Sequence, residues 1–269
     1  MTETTGGAAV EGLRSELVDG ILRLTINRPK RMNALDLVTM GALGEAVIAA
    51  GADERVRTIV LTGEGTAFCT GADLAAAGAN PADPNVVMDT ANSLIRAIVD
   101  SPVPVIAAVN GPAAGVGVSI AVAADLTYAA ESAYFLLAFV NIGLMPDGGS
   151  SMLIPAAIGR ARAAEMALLG ERLSAADADR FGLVARTLPD GGLAAHVDAV
   201  AARTASGPRR LWRSPSKRST IRPCPFSTMR WRSRKQARSS YSHPRISRKV
   251  RWPCCKSVAP TSRRDRMHM

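Results

Sequence analysis

Three short apolar runs constrain this chain most: TIVLTG at 58–63, PVIAAVN at 104–110 and LTYAA at 126–130. Each is too short for a buried helix and lacks the polar alternation of a half-exposed strand, so each is expected to be a buried strand. Segments with helical spacing lie between them. One is expected over about 36–50 with Asp36 as its N-cap, one over 86–100, and one starting near Gly115. Upstream, LRSELV and ILRLTIN flank Asp19-Gly20, a dipeptide that favours a tight hairpin turn. Downstream, helices are expected at 148–158, 161–169, 175–181 and 193–206. Alternating strands and helices that give way to helices alone predict a layered α/β core with a helical C-terminal section. No internal repeat is evident at solenoid periods.

The formal charge of +10 would suggest an anionic partner, but it is not evenly spread. Residues 1–208 hold 14 Lys/Arg against 22 Asp/Glu, whereas 209–269 hold 19 Lys/Arg and one acid, Asp265. The expected organisation is therefore a disordered start at 1–13, a core at 14–190, the beginning of a helical section at 191–208 and an atypical basic tail at 209–269. Cys69 lies in the acidic part, and Cys224, Cys254 and Cys255 in the basic part. None has a partner at zinc-site spacing, and no disulfide framework or metal site is expected. No run approaches the ~20 apolar residues of a membrane span, and the start lacks a basic segment followed by an apolar one. A cytoplasmic protein without membrane or nucleic-acid partners is expected.

Two strand-to-helix junctions are rich in glycine and small residues: GEGTAFCTGADL at 63–74 and NGPAAGVGVS at 110–119. Each could present a backbone N–H to an oxygen, and the second adds a helix N-terminus that favours a developing anion. Either could also be an ordinary tight turn. A dinucleotide fingerprint fails, because its third glycine would fall at Ile120. Histidines occur only at 196, 243 and 268, far in sequence from both junctions, and His196 reads as a surface residue. That leaves a carboxylate as acid or base. Asp147, in IGLMPDGGSS, is the candidate, although its place before a helical run equally suits an N-cap.

Taken together, INRPKRMNAL, IVLTGEGTAFCTGADL, PVIAAVNGPAAGVGVSIAVAADLTYAA and the stretch from FVNIGLMPDGGSS to RFGLV resemble the enoyl-CoA hydratase/isomerase (crotonase) superfamily from Leu17 to about Ser206. The resemblance implies a spiral of ββα units that binds coenzyme A thioesters, usually as a homotrimer or hexamer. It implies an oxyanion hole from the N–H groups of Ala72 and Val116, with coenzyme A as part of the substrate and no separate cofactor. Fixed donors aimed at a developing enolate oxygen are worth about 3 kcal/mol each. By the same resemblance Lys30, Met32, Ala34, Ala72, Asp73, Leu74, Gly115, Ser119 and Phe139 line the thioester site, and Lys30 and Arg31 could meet phosphates or be solvated.

The family's best-known hydratases use two glutamates, and at those positions this chain carries Ser119 and Phe139. Neither can act as a base. Other members, among them isomerases of the phenylacetate pathway and a haloaryl-CoA dehalogenase, carry a working aspartate where this chain has Asp147. An aspartate among Phe139, Leu144 and Met145, raised in pKa by desolvation, would suit a proton shuttle. The expected activity is a double-bond shift in an unsaturated acyl-CoA. The alternatives are a 2-enoyl-CoA hydratase, with Ser119 helping to hold water, and a non-catalytic acyl-CoA binder.

Residues 209–269 depart from the resemblance. Family members end in acidic and apolar helices, whereas this segment is dense in Arg, Ser and Pro and holds Trp212, Trp231 and Trp252. Read one base earlier, the codons for 215–237 permit VETIDDTAVPVLDDALALEEAG, which is acidic with apolar residues at helical spacing. A frameshift near Arg209 is the expected origin of the tail, and a basic interaction arm is the alternative.

Overall fold

The computed structural model describes residues 10–73 and 83–208. Strands β1 (Leu13–Val18) and β2 (Ile21–Ile26) pair antiparallel. Asp19 and Gly20 between them both have positive φ, 49° and 78°, as the favoured two-residue hairpin turn requires. The remaining strands of the main sheet are β3 (Thr58–Gly63), β4 (Val105–Val109), β6 (Leu126–Ala130) and β9 (Arg186–Leu188), in the order β1-β2-β3-β4-β6-β9. From β2 onward every neighbour is parallel. All five residues of β4 are buried, which accounts for its uninterrupted apolar run.

A second sheet of β5 (Ala113–Ala114), β7 (Tyr134–Leu136) and β8 (Arg172–Ser174) was not expected from sequence. Single bridges extend it, Cys69 to Ala113 and Leu35 to Ala72. Thus β4, β5 and the next helix form one turn of a winding, and β6, β7 and the helix after them form the next. The ββα spiral implied by the resemblance is present.

The described helices are α1 (Leu37–Ala52), α2 (Pro84–Asp100), α3 (Val116–Ala123), α4 (Ser150–Ile158), α5 (Arg160–Leu169), α6 (Ala175–Phe181) and α7 (Leu193–Ser206). Asp36 caps α1 as expected, its side chain accepting from Thr39 N–H at 2.8 Å. Helix α2 packs against α1 and α3, and α3 also against α4. Helix α7 lies on the main sheet, where Val197 and Ala201 join the core. An Arg23–Asp198 ion pair and a 3.2 Å Thr204–Thr58 hydroxyl bond tie it down. His196 is not the surface residue expected: it is half-buried and meets the Tyr128 ring edge-on, centroids 4.7 Å apart. Among the described residues no helix is long and apolar enough to cross a membrane. Leu74 and the tail lie outside the described residues, and with them the expectations about the reading frame.

Candidate active site

The two glycine-rich junctions lie side by side at the C-terminal ends of β3 and β4. Ala114 N–H donates to the Cys69 carbonyl at 2.9 Å. A Cβ on Gly117 would stand 2.0 Å from that same carbonyl oxygen, so only glycine permits the approach. Gly115, at φ 53° and ψ −123°, turns the chain from β5 into α3 in a conformation closed to other residues.

This geometry leaves two N–H groups unclaimed. Leu35 N–H donates to the Gly71 carbonyl at 2.8 Å and Asp73 N–H to the Leu35 carbonyl at 2.9 Å, so the Ala72 N–H between them points away from that bridge. Val116 opens α3, where the first N–H groups have no partner within the helix. Neither N–H finds an acceptor among the described residues. At Val116 the helix dipole adds partial positive charge.

Side chains that the sequence argument passed over hold the first junction. The Arg28 guanidinium meets Asp36 at 2.9 Å and Asp73 at 3.1 Å, and it also donates to the Ala34 carbonyl. The Asp73 side chain is 4% exposed and its carboxylate takes part in this ion pair. Asn33 is fully buried in a left-handed conformation, φ 57°. Its amide donates to the Glu64 and Ala67 carbonyls at 2.9 and 2.6 Å. Asn110, from the second junction, accepts from Gly63 N–H at 3.2 Å and donates to the carbonyls of Gly63 and Gly65 at 2.9 Å each. The available signal was the presence of Arg28, Asn33 and Asn110 beside glycine-rich turns, where polar side chains stand in for missing ladder bonds.

Asp147 is half-buried in the turn before α4. The N-cap alternative fails, because the cap position is Gly149 and no side chain caps this helix. Instead the Asp147 carbonyl is gripped by Ser150, through N–H at 3.1 Å and hydroxyl at 2.7 Å, with the Ser119 hydroxyl 3.4 Å away. Ser119 is fully buried in α3, one turn beyond Val116, so the turn carrying Asp147 packs on α3. The Ser119 hydroxyl faces the Asp147 carbonyl. Phe139 is buried at 7% exposure, but Met145 is 78% exposed and gives Asp147 none of the expected apolar cover.

Lys30 and Arg31 are exposed on a 3-10 turn, Pro29–Arg31. Met32 follows in a left-handed conformation, and its carbonyl accepts from the Thr70 hydroxyl at 3.0 Å. Ala34 is half-buried next to the Leu35–Ala72 bridge. Burial pushes the Cys69 thiol up to about 12, only partly offset by a backbone bond from Gly71, so this cysteine is no nucleophile at neutral pH.

Comparison with known proteins gives this geometry its context. The family model for enoyl-CoA hydratase/isomerase matches residues 16–218. "Probable enoyl-CoA hydratase" of Rhodobacter capsulatus is 42% identical over 208 residues, which cover 76% of this chain and 79% of that one. The 1,2-epoxyphenylacetyl-CoA isomerase of Escherichia coli is 37% identical over 204 residues, 74% of this chain and 78% of its own. The crystal structure of an enoyl-CoA hydratase from Mycobacterium avium subsp. paratuberculosis aligns with a TM-score of 0.73 at 43% identity, covering 80% of this chain and 88% of that chain. The chain belongs to the enoyl-CoA hydratase/isomerase family of acyl-CoA enzymes.

Proposed function

We propose that this enzyme shifts a double bond of an unsaturated acyl-CoA through an enolate. One observation carries the reading: the Ala72 and Val116 N–H groups have no acceptor among the described residues, and the turn carrying Asp147 packs on the helix that Val116 opens, while Ser119 and Phe139 supply no second carboxylate. The thioester oxygen of a 3-enoyl-CoA accepts from both N–H groups. The Asp147 carboxylate takes a proton from C2, and the C–H electron pair moves into the thioester to give a dienolate. Asp147 then returns the proton at C4, leaving the 2-enoyl isomer at unchanged mass. One base suffices because no water is added. Lys30 and Arg31, exposed beside the first junction, suit the phosphates of coenzyme A, which arrives as part of the substrate.

Hydration of a 2-enoyl-CoA is the second reading, and the name of the Rhodobacter capsulatus relative favours it. Against it stands the burial of Ser119. The test is a paired turnover assay of the full chain with a 3-enoyl-CoA and a 2-enoyl-CoA, products identified by mass and chromatography. Isomerisation of the first supports the reading, and gain of water by the second replaces it. Silence on both overturns the reading and leaves an acyl-CoA binder or an enzyme for another acyl group.

We also infer self-association in a cytoplasmic setting, as a trimer or hexamer. Val140 and Ile142 are exposed on a turn that packs beside α5, which ends in the exposed Leu168 and Leu169, and exposed apolar side chains gathered in this way suit an interface between copies. Sedimentation of the full chain measures it.

A further inference from the structure

Helix α3 is apolar along its whole length but for one residue. Of VGVSIAVA only Ser119 has a polar side chain, and it is fully buried. A buried hydroxyl in a helix commonly turns back to the carbonyl four residues earlier. The Ser119 hydroxyl instead donates out of its helix, to the Asp147 carbonyl at 3.4 Å. At that length the bond returns little stability, and alanine would fill the place with no polar atom to bury.

The same carbonyl is held from its own segment as well. Ser150, 1% exposed at the start of α4, donates to it through its N–H at 3.1 Å and its hydroxyl at 2.7 Å. Between Asp147 and Ser150 the chain turns through Gly148 and Gly149, at φ 57° and 76°. Gly148 rests on α3, where a Cβ added to it would stand 3.1 Å from the Ser119 hydroxyl oxygen and 3.6 Å from a Val116 methyl. The Asp147 backbone therefore meets α3 one turn from the residue whose N–H opens that helix, and the next residue along touches Val116 itself.

We propose that Ser119 is a positioning residue: together with Ser150 it fixes the backbone that carries the Asp147 carboxylate, and so sets the place of the proton carrier relative to the Val116 N–H. This rests on the isomerase reading above. A carboxylate that moves a proton between two carbons of a bound enolate must stay in register with the donor that holds the enolate oxygen, and a misplacement of about 1 Å is enough to cost on the order of 10²-fold in rate. Tying both groups to one turn of one helix keeps that register.

The test is isomerisation of a 3-enoyl-CoA by the full chain carrying Ser119→Ala, Ser119→Cys or Asp147→Asn, and each Ser119 variant combined with Asp147→Asn, beside the dissociation constant of a saturated acyl-CoA. Ser119→Ala is expected to lower kcat about tenfold while affinity for the saturated thioester stays within about twofold of wild type. Ser119→Cys, close to serine in size but a weak donor, is expected to do the same and carries the test if the alanine variant does not fold. In the Asp147→Asn background neither substitution is expected to slow the residual reaction further, because the group they position is gone. A serine that only supports α3 would weaken thioester binding and slow both backgrounds by one common factor. That result overturns the proposal, as does a wild-type kcat in either Ser119 variant. If Asp147→Asn is slow while the Ser119 variants are not, the isomerase reading stands and Ser119 alone fails. If Asp147→Asn runs at the wild-type rate, or wild type does not isomerise, both fall.

Discussion

The junction at 63–73 is held by side chains, whereas the junction at 110–116 is held by its own backbone. Around Ala72, an arginine fork and two asparagine amides reach across 31 to 47 residues of sequence to fix a loop. Around Val116, a glycine conformation and a backbone-to-backbone contact at Gly117 set the helix in place inside an apolar core. The proposed oxygen site thus has one donor that polar chemistry positions and one that packing positions. The first should break when charge or amide is removed, and the second when volume is added.

Substitutions separate the two regimes. Arg28→Ala leaves the buried Asp73 carboxylate without its guanidinium and is expected to cost about 3–5 kcal/mol in urea unfolding. Arg28→Lys, which keeps charge but loses the fork, should recover part of it. An Arg28→Ala protein as stable as wild type would erase the distinction between the junctions. Gly117→Ala forces a methyl onto the Cys69 carbonyl and is expected to cost about 1–3 kcal/mol, or more if the backbone cannot shift. Removing the carboxylate in Asp36→Ala costs α1 its cap, about 1 kcal/mol, together with one arm of the Arg28 fork. Urea midpoints for Asp36→Ala, Arg28→Ala and the double variant should be less than additive, because both act on one network.

The smallest effect concerns Cys69, beneath both junctions. Its thiol is raised in the folded chain from 9.0 to about 12, so its contribution to stability is complete below pH 9 and is lost as pH rises toward 12. Peptide-resolved alkylation at pH 8 is expected to leave Cys69 unmodified in the native chain and modify it in denaturant.

Legibility in the sequence followed the same division. The hairpin at Asp19-Gly20, the Asp36 cap and the helices at Ala175–Phe181 and Leu193–Ser206 could be read directly, because their signals lie within a few residues. The second sheet could not. Strand β5 has two residues and β7 and β8 three each, too few for any periodicity, and their pairing partners are distant in the chain. Likewise β9, three residues in the gap between two expected helices, carried no strand signal of its own and pairs with the edge that β6 offers. Both proposed backbone donors were suggested by motif resemblance. The Arg28 fork that steadies one of them was not, since nothing local marks an arginine's partners. Asp147 was ambiguous for a different reason: capping and catalysis ask for the same residue before a helix, and only the position of Gly149 at the cap removed the first.

The central claim is that Asp147 moves a proton across an enolate held by the two junctions. It is tested most directly by isomerisation of a 3-enoyl-CoA in deuterated water, comparing wild type with Asp147→Asn, which keeps the shape and removes the base. The account predicts deuterium entering at C2 and C4 with wild type, and a rate lower by about 10²–10⁴-fold with Asp147→Asn at matched affinity for the thioester. An Asp147→Asn enzyme that isomerises and exchanges at the wild-type rate would contradict it.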